Sequence, residues 1–135
     1  MNKKILVVDD QLDIIKVLKA ILESHNYTVI SANDGEEALQ IVKTNKPDLI
    51  IMDIMMPKLQ GGDAVRILKS DVITKHIPVI FLTSVMSDMN PDEEKAINVD
   101  GQFYTAFSKS FKPERLLFEI KKLISTIKPP VDNKG

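Results

Sequence analysis

The 135-residue sequence has no cysteine, no tryptophan, only two histidines and no surplus of charge of either sign. Without cysteine, disulfide frameworks, thiolate zinc sites, iron–sulfur clusters and cysteine nucleophiles are excluded. His25 and His76 alone are too few for a histidine-rich metal site. Lysine and arginine total 18 against 19 acidic residues, a formal charge of −1. A basic footprint for phosphate backbone is missing, so direct nucleic-acid binding is not expected. Long apolar runs are missing too. A membrane span needs about 18 such residues and a signal peptide about 7–15. The first run, Ile5-Leu6-Val7-Val8, stops at two aspartates. No membrane association and a cytoplasmic location are the expectation. What is present is a globular balance of 44% hydrophobic and 27% charged residues, enough for one domain with a core.

Four short apolar runs, Ile5–Val8, Tyr27–Ile30, Leu49–Met52 and Val79–Leu82, are rich in β-branched residues. Three of them are continuous rather than alternating, which predicts strands buried on both faces, as in a parallel sheet covered by helices. Phe103–Phe107 is a fifth, aromatic candidate. Between them lie helical patterns. Ile14, Ile15, Leu18, Ile21 and Leu22 give one apolar face over about Asp13–Ser24. Asp34-Gly35-Glu36-Glu37 is a variant capping box that opens a helix to about Thr44. Ala64, Val65 and Leu68 suggest a third helix, and Asn90-Pro91-Asp92-Glu93 is a start signal for a fourth. A fifth begins at Pro113 with Leu116, Leu117, Ile120, Leu123, Ile124 and Ile127 on its buried stripe. Pro129-Pro130 stops it, which puts a domain at 1–128 and a polar tail at 129–135. Strands alternating with helices predict a doubly wound α/β sheet; periodicity leaves the strand order open.

In such sheets ligands bind beyond the carboxyl ends of the strands. After the first run come Asp9 and Asp10, after the third Asp53, after the fourth Thr83 and Ser84, after the fifth Ser108-Lys109-Ser110. Taken singly, each is an ordinary turn, cap or surface residue. Lys109 stands out because the Phe107-x-Lys109-x-Phe111 alternation would point it with two phenylalanines. Their shared placement at strand ends is the signal. Neighbouring strands lie about 4.8 Å apart, so acids ending them crowd one another and need a cation, or one pKa must rise. A hard divalent ion, Mg²⁺, suits three aspartates without histidine or cysteine. Mg²⁺ and Lys109 together neutralise the three carboxylates. That composition suits phosphoryl transfer, in which a carboxylate can itself be the nucleophile.

The pieces Ile5-Leu-Val-Val-Asp-Asp10, Pro47-Asp-Leu-Ile-Ile-Met-Asp53-Ile-Met-Met-Pro57 with Gly61, Leu82-Thr83-Ser84 and Ser108-Lys109 resemble a receiver domain of the two-component response-regulator family, of the single-domain chemotaxis-receiver type. The resemblance runs from about Lys4 to Ile127. It implies a flavodoxin-like, five-stranded parallel sheet of order 2-1-3-4-5 with five helices. It also implies that Asp53 is the phosphoacceptor, fed by a histidine kinase or histidine phosphotransfer protein. Asp10 and Asp53 would ligate Mg²⁺ with the Met55 backbone carbonyl, and Asp9 directly or through water. Thr83, followed by Ser84, would bond the phosphoryl oxygen and Lys109 would pair with it. The output would be contact with a downstream protein, from a monomer or a phosphorylation-dependent homodimer. Such a chain is a signalling phosphoacceptor and not an enzyme with turnover.

Several positions depart from the family pattern. Ser110 replaces the proline after the lysine. A cis bond before serine costs about 2.5–4 kcal/mol, which predicts a trans or strained loop. The family's switch aromatic falls on Ala106, with Tyr104 of the same strand parity as a substitute. The Thr83–Lys109 stretch is long, with an insertion over Met86–Asn90, and Lys112 stands where an acidic helix cap is expected. Met55 and Val85, flanking the phosphoryl site, are apolar, which predicts a long-lived aspartyl phosphate. These departures motivate an alternative, a phosphorylation-independent interaction module with the same fold. A dehalogenase-like phosphatase would need a second aspartate where Met55 stands, and a flavin binder would need a phosphate loop after the first strand. Neither is present.

Overall fold

The computed structural model describes residues 2–56, 59–84 and 95–126. Strands β1 (Lys4–Val8), β2 (Thr28–Ala32), β3 (Leu49–Asp53) and β4 (Val79–Thr83) alternate with helices α1 (Leu12–Glu23), α2 (Gly35–Asn45) and α3 (Gly61–Lys69). Then come β5 (Lys95–Val99), β6 (Gln102–Ser108) and helix α4 (Pro113–Thr126). The sheet order is β2-β1-β3-β4-β6-β5. All pairings are parallel except β5 with β6. Read through its parallel strands alone, this is the expected flavodoxin-like order 2-1-3-4-5, with one antiparallel strand added at the edge.

The continuous apolar runs have the cause anticipated for them, burial on both faces. Leu6, Val8, Ile50, Met52 and Phe81 pack toward Ala38 and Val42 of α2 and Ala64, Val65 and Leu68 of α3. Their strand neighbours Ile5, Val7, Leu49, Ile51 and Ile80 pack toward Ile15, Leu18 and Leu22 of α1 and Leu116 and Ile120 of α4. Successive side chains of one strand thus serve opposite layers. The second helix is capped as its sequence suggests. Asp34 accepts from the Glu37 N–H at 2.8 Å, and Glu37 reaches back to the Asn33 N–H at 2.7 Å. In α4, Leu116 and Ile120 are fully buried, Leu117, Leu123 and Ile124 partly so, and Ile127 lies outside the described residues. The α4 start is held by the Lys112 carbonyl, which accepts from the Arg115 and Leu116 N–H groups.

One expected element, the fourth helix, begins on residues that the structure does not describe. Its start signal, Asn90–Glu93, and the insertion over Met86–Asn90 lie outside the described residues. Directly after them, Lys95–Val99 is a strand that the sequence reading did not expect, and four helices lie among the described residues. The physical reason for this added strand is the Asp100-Gly101 pair. Val99 opposes Gln102 across a two-residue turn in which Asp100 has φ 53° and Gly101 φ 90°. Two consecutive positive φ values are the signature of the primed hairpin turn, whose twist matches that of paired strands. Ile97 and Val99 then turn inward to the core, and Arg66 of α3 donates to both Asp100 carboxylate oxygens at 3.0 Å.

Candidate functional site

Four chain segments converge beyond the carboxyl ends of β1, β3, β4 and β6. Asp9 follows β1 and extends its pairing by one bond, its N–H donating to the Ala32 carbonyl at 3.1 Å. The side chain turns back so that Oδ1 accepts from the Gln11 N–H at 2.8 Å. Asp53 closes β3, beside Leu82 of β4. Thr83 and Ser108 oppose one another in the parallel ladder, and the Lys109 N–H donates to the Thr83 carbonyl. These bonds set the height at which each side chain enters the crevice.

The sheet order brings the charged groups together. Asp9 and Asp53 are 1% and 2% exposed. Lys109, 11% exposed, lies 3.0 Å from Asp9 Oδ2 and 3.1 Å from Asp53 Oδ2. Asp10 is exposed at the rim. One oxygen from each of Asp9, Asp10 and Asp53 lies within 4.8 Å of the others. Burial and the Asp9 charge, opposed by Lys109 and the Met55 N–H, push the Asp53 carboxyl up to about 6. Burial works against the Lys109 ammonium, but its hydrogen bonds to Asp9 and Asp53 and their charges outweigh it and raise its pKa. Lysine alone does not neutralise three carboxylates. Asp9 Oδ2 is buried and, although beside the ammonium, has no donor aligned on it as a hydrogen bond. Three convergent hard oxygens, one of them unsaturated, fit a divalent cation such as Mg²⁺.

Of the remaining expected residues, Thr83 is fully buried at the end of β4 and Ser84 is exposed just beyond it. Met55 is half exposed, and its N–H lies 3.3 Å from Asp53 Oδ1. Val85 lies outside the described residues. The alternation around Lys109 is realised in part. Phe107 is fully buried and Phe111 partly, but β6 ends at Ser108 and Lys109 enters the crevice from the turn. That turn holds no cis peptide. Ser110 replaces proline without loss of local bonding, because its hydroxyl lies 2.9 Å from the Ser108 hydroxyl and its N–H donates to that same oxygen. Ala106 is fully buried, and Tyr104 sits on the same inner face with its ring edge-on to Phe81 at 5.8 Å.

Two residues have roles that the sequence reading did not assign. Gln11 accepts from the Lys109 ammonium through Oε1, a third oxygen on that cation; its only signal was adjacency to the acid pair. Gly61 had been noted only as part of a motif. A Cβ there would collide with the Asp53 main-chain carbonyl, so glycine allows α3 to start against the end of β3. Its N–H donates to the Ile54 carbonyl at 3.0 Å.

Comparison with known proteins agrees with this arrangement. The family described as response regulator receiver domain matches residues 5–121. The chain is 38% identical over 124 residues to the alkaline phosphatase synthesis transcriptional regulatory protein PhoP of Bacillus subtilis. The match covers 92% of this chain and 49% of PhoP, so the chain spans about half the length of that relative. It is 32% identical to the polar-differentiation response regulator DivK of Brucella anthropi, covering 92% of this chain and 98% of DivK. Among solved structures, the receiver domain of a sensor histidine kinase from Pseudomonas aeruginosa superposes with a TM-score of 0.79 at 25% identity, covering 93% and 100% of the two chains. That structure is described with a magnesium ion coordinated in its active-site cleft. The chemotaxis protein CheY4 of Vibrio cholerae gives 0.75 at 26% identity, covering 91% and 99%. The sheet, the acid cluster and these matches lead to one conclusion: the chain belongs to the response regulator receiver domain family of two-component systems.

Proposed function

We propose that Asp53 accepts a phosphoryl group from the phosphohistidine of a histidine kinase or a histidine phosphotransfer protein, in a Mg²⁺-dependent reaction in the cytoplasm. The observation that carries this reading is the Lys109 ammonium held between buried Asp9 and Asp53. An Asp53 oxygen attacks phosphorus, the phosphorus–nitrogen bond breaks, and the electron pair stays on the imidazole nitrogen, which takes up a proton. Bound Mg²⁺ supplies charge neutralisation for the carboxylates and the phosphoryl oxygens. Asp10, Asp53 and the Met55 carbonyl would hold it, with Asp9 directly or through water. Lys109 pairs with the transferred group, and the Thr83 hydroxyl, with Ser84 beside it, hydrogen-bonds a phosphoryl oxygen. The chain is a stoichiometric acceptor that signals through contact with a downstream protein.

Incubation with a small phosphodonor and Mg²⁺, followed by intact-mass measurement, tests this directly. The wild type should gain one phosphoryl group and Asp53→Asn none. If the wild type gains nothing where a control receiver reacts, the chain is a phosphorylation-independent interaction module.

A further inference from the structure

Strand β5 is the edge of the described sheet, and little in its sequence blocks further pairing. An edge offers ladder N–H and C=O groups to another strand, and proteins protect it with proline, bulges or charges. Lys95-Ala96-Ile97-Asn98-Val99 has no proline, pairs with β6 without a bulge, and carries its one charge at its first residue. The hairpin is also anchored before any partner arrives. Arg66 of α3 grips Asp100, and Asn98 Oδ1 accepts from the Gly101 N–H at 2.9 Å. Ala96 and Asn98 are exposed on the outer face, where Asn98 stands opposite Phe103, itself 66% exposed.

We infer that β5 pairs antiparallel with β5 of a second copy of this chain, about a two-fold axis at Ile97, joining the two sheets. Opposed residues of an antiparallel pair share a face, so a two-fold axis must pass through a residue and its own copy. Placed at Ile97, the axis pairs all five residues: Ile97 with itself, Ala96 with Asn98, and Lys95 with Val99. In that register Lys95 lies beside the opposite copy's Asp100 and never faces another lysine. An axis at Ala96 sets Lys95 opposite Ile97, leaves the two lysines diagonal to one another and pairs only three residues, and one at Asn98 runs Lys95 past the strand end. The complementarity of Lys95 and Asp100 favours self-pairing over capture of an unrelated strand. A five-residue ladder is a small interface, so the association is weak and concentration-dependent.

Sedimentation equilibrium of the 135-residue chain should show the mass rising from monomer toward dimer as concentration reaches roughly hundreds of micromolar. The double variant Ala96→Glu/Asn98→Asp sets carboxylates against carboxylates on an exposed face, keeps an acceptor for Gly101, and should remain monomeric with an unchanged circular dichroism spectrum. Mixing it with Ala96→Lys should restore a dimer. The chain has no cysteine, so Ile97→Cys should form an intermolecular disulfide under mild oxidation while Lys95→Cys does not. A wild type that stays monomeric throughout, a carboxylate variant that dimerises equally, or equal cross-linking at both positions would overturn the inference.

Discussion

The two ends of β6 are held by different physics. At its carboxyl end, Lys109 sits among buried carboxylates whose charges are unbalanced without a further cation. At its amino end, a two-residue turn, an exposed ion pair and an edge strand complete the sheet. The first end holds strain in its electrostatics. The second is held by backbone geometry and leaves a ladder edge at the sheet margin. A perturbation at one end should therefore leave the other largely untouched, and four measurements sharpen or break that separation.

The largest effect is expected at Lys109. Lys109→Ala leaves Asp9 and Asp53 buried without their cation, a situation that typically costs about 3–5 kcal/mol. Thermal unfolding in chelator should fall accordingly and recover in part with Mg²⁺, while phosphoryl uptake slows severely. Equal melting of wild type and variant in chelator would show that the pair is not strained.

Asp53→Asn should act in the opposite direction. The Asp53 carboxyl is raised to about 6 in the fold, so the fold disfavours its ionised form. Stability associated with this group is therefore full below the unfolded-state pKa near 4 and is lost as pH rises through about 6. Metal-free Asp53→Asn should be more stable than wild type at pH 8, by on the order of 2 kcal/mol. The gain should vanish toward pH 4, as differential scanning calorimetry across that range can show. A constant difference would argue against a titrating Asp53.

Gly101→Ala addresses the other end. A side chain at φ 90° is strained, and the cost should be about 1–2 kcal/mol. Hydrogen exchange should quicken in β5 and β6 near the turn, with phosphoryl uptake unchanged. Altered uptake would show that the two ends communicate, with Arg66 on α3 as the obvious link. The smallest structural effect is expected at Met55, which is half exposed and whose N–H lies 3.3 Å from Asp53 Oδ1. Met55→Gln should change the decay rate of the aspartyl phosphate severalfold without moving the melting temperature, and the wild-type adduct should be long-lived. Rapid loss of radiolabel from the wild type would contradict this.

The same contrast explains what could be read in advance. β1, β3 and β4 were legible because strands covered on both faces must be apolar at every position. The caps of α2 were legible because Asp34 and Glu37 act within one turn of chain. The hairpin was obscured by competing local signals. Asn90-Pro91-Asp92-Glu93 suggests a helix start, whereas Asp100-Gly101 between Ile97, Val99 and Phe103 was the turn signal that decided residues 95–99. Gln11 carried no pattern at all, since any polar residue can follow an acid pair at a strand end.

By itself the sequence determined β1 to β4, β6 and the helices α1, α2, α3 and α4, and it placed an acid or hydroxyl after most of those strands. It did so through local preferences that need no partner beyond the next turn. Only the tertiary structure decided that Lys109 meets Asp9, 100 residues away, and Asp53, 56 residues away. Coulomb attraction and pKa shifts depend on distance and burial, and neither exists until the strand order is fixed. The same holds for the edge strand. Whether Lys95–Val99 pairs depends on the Asp100-Gly101 turn being held against α3, which is a property of the packed molecule and not of those five residues.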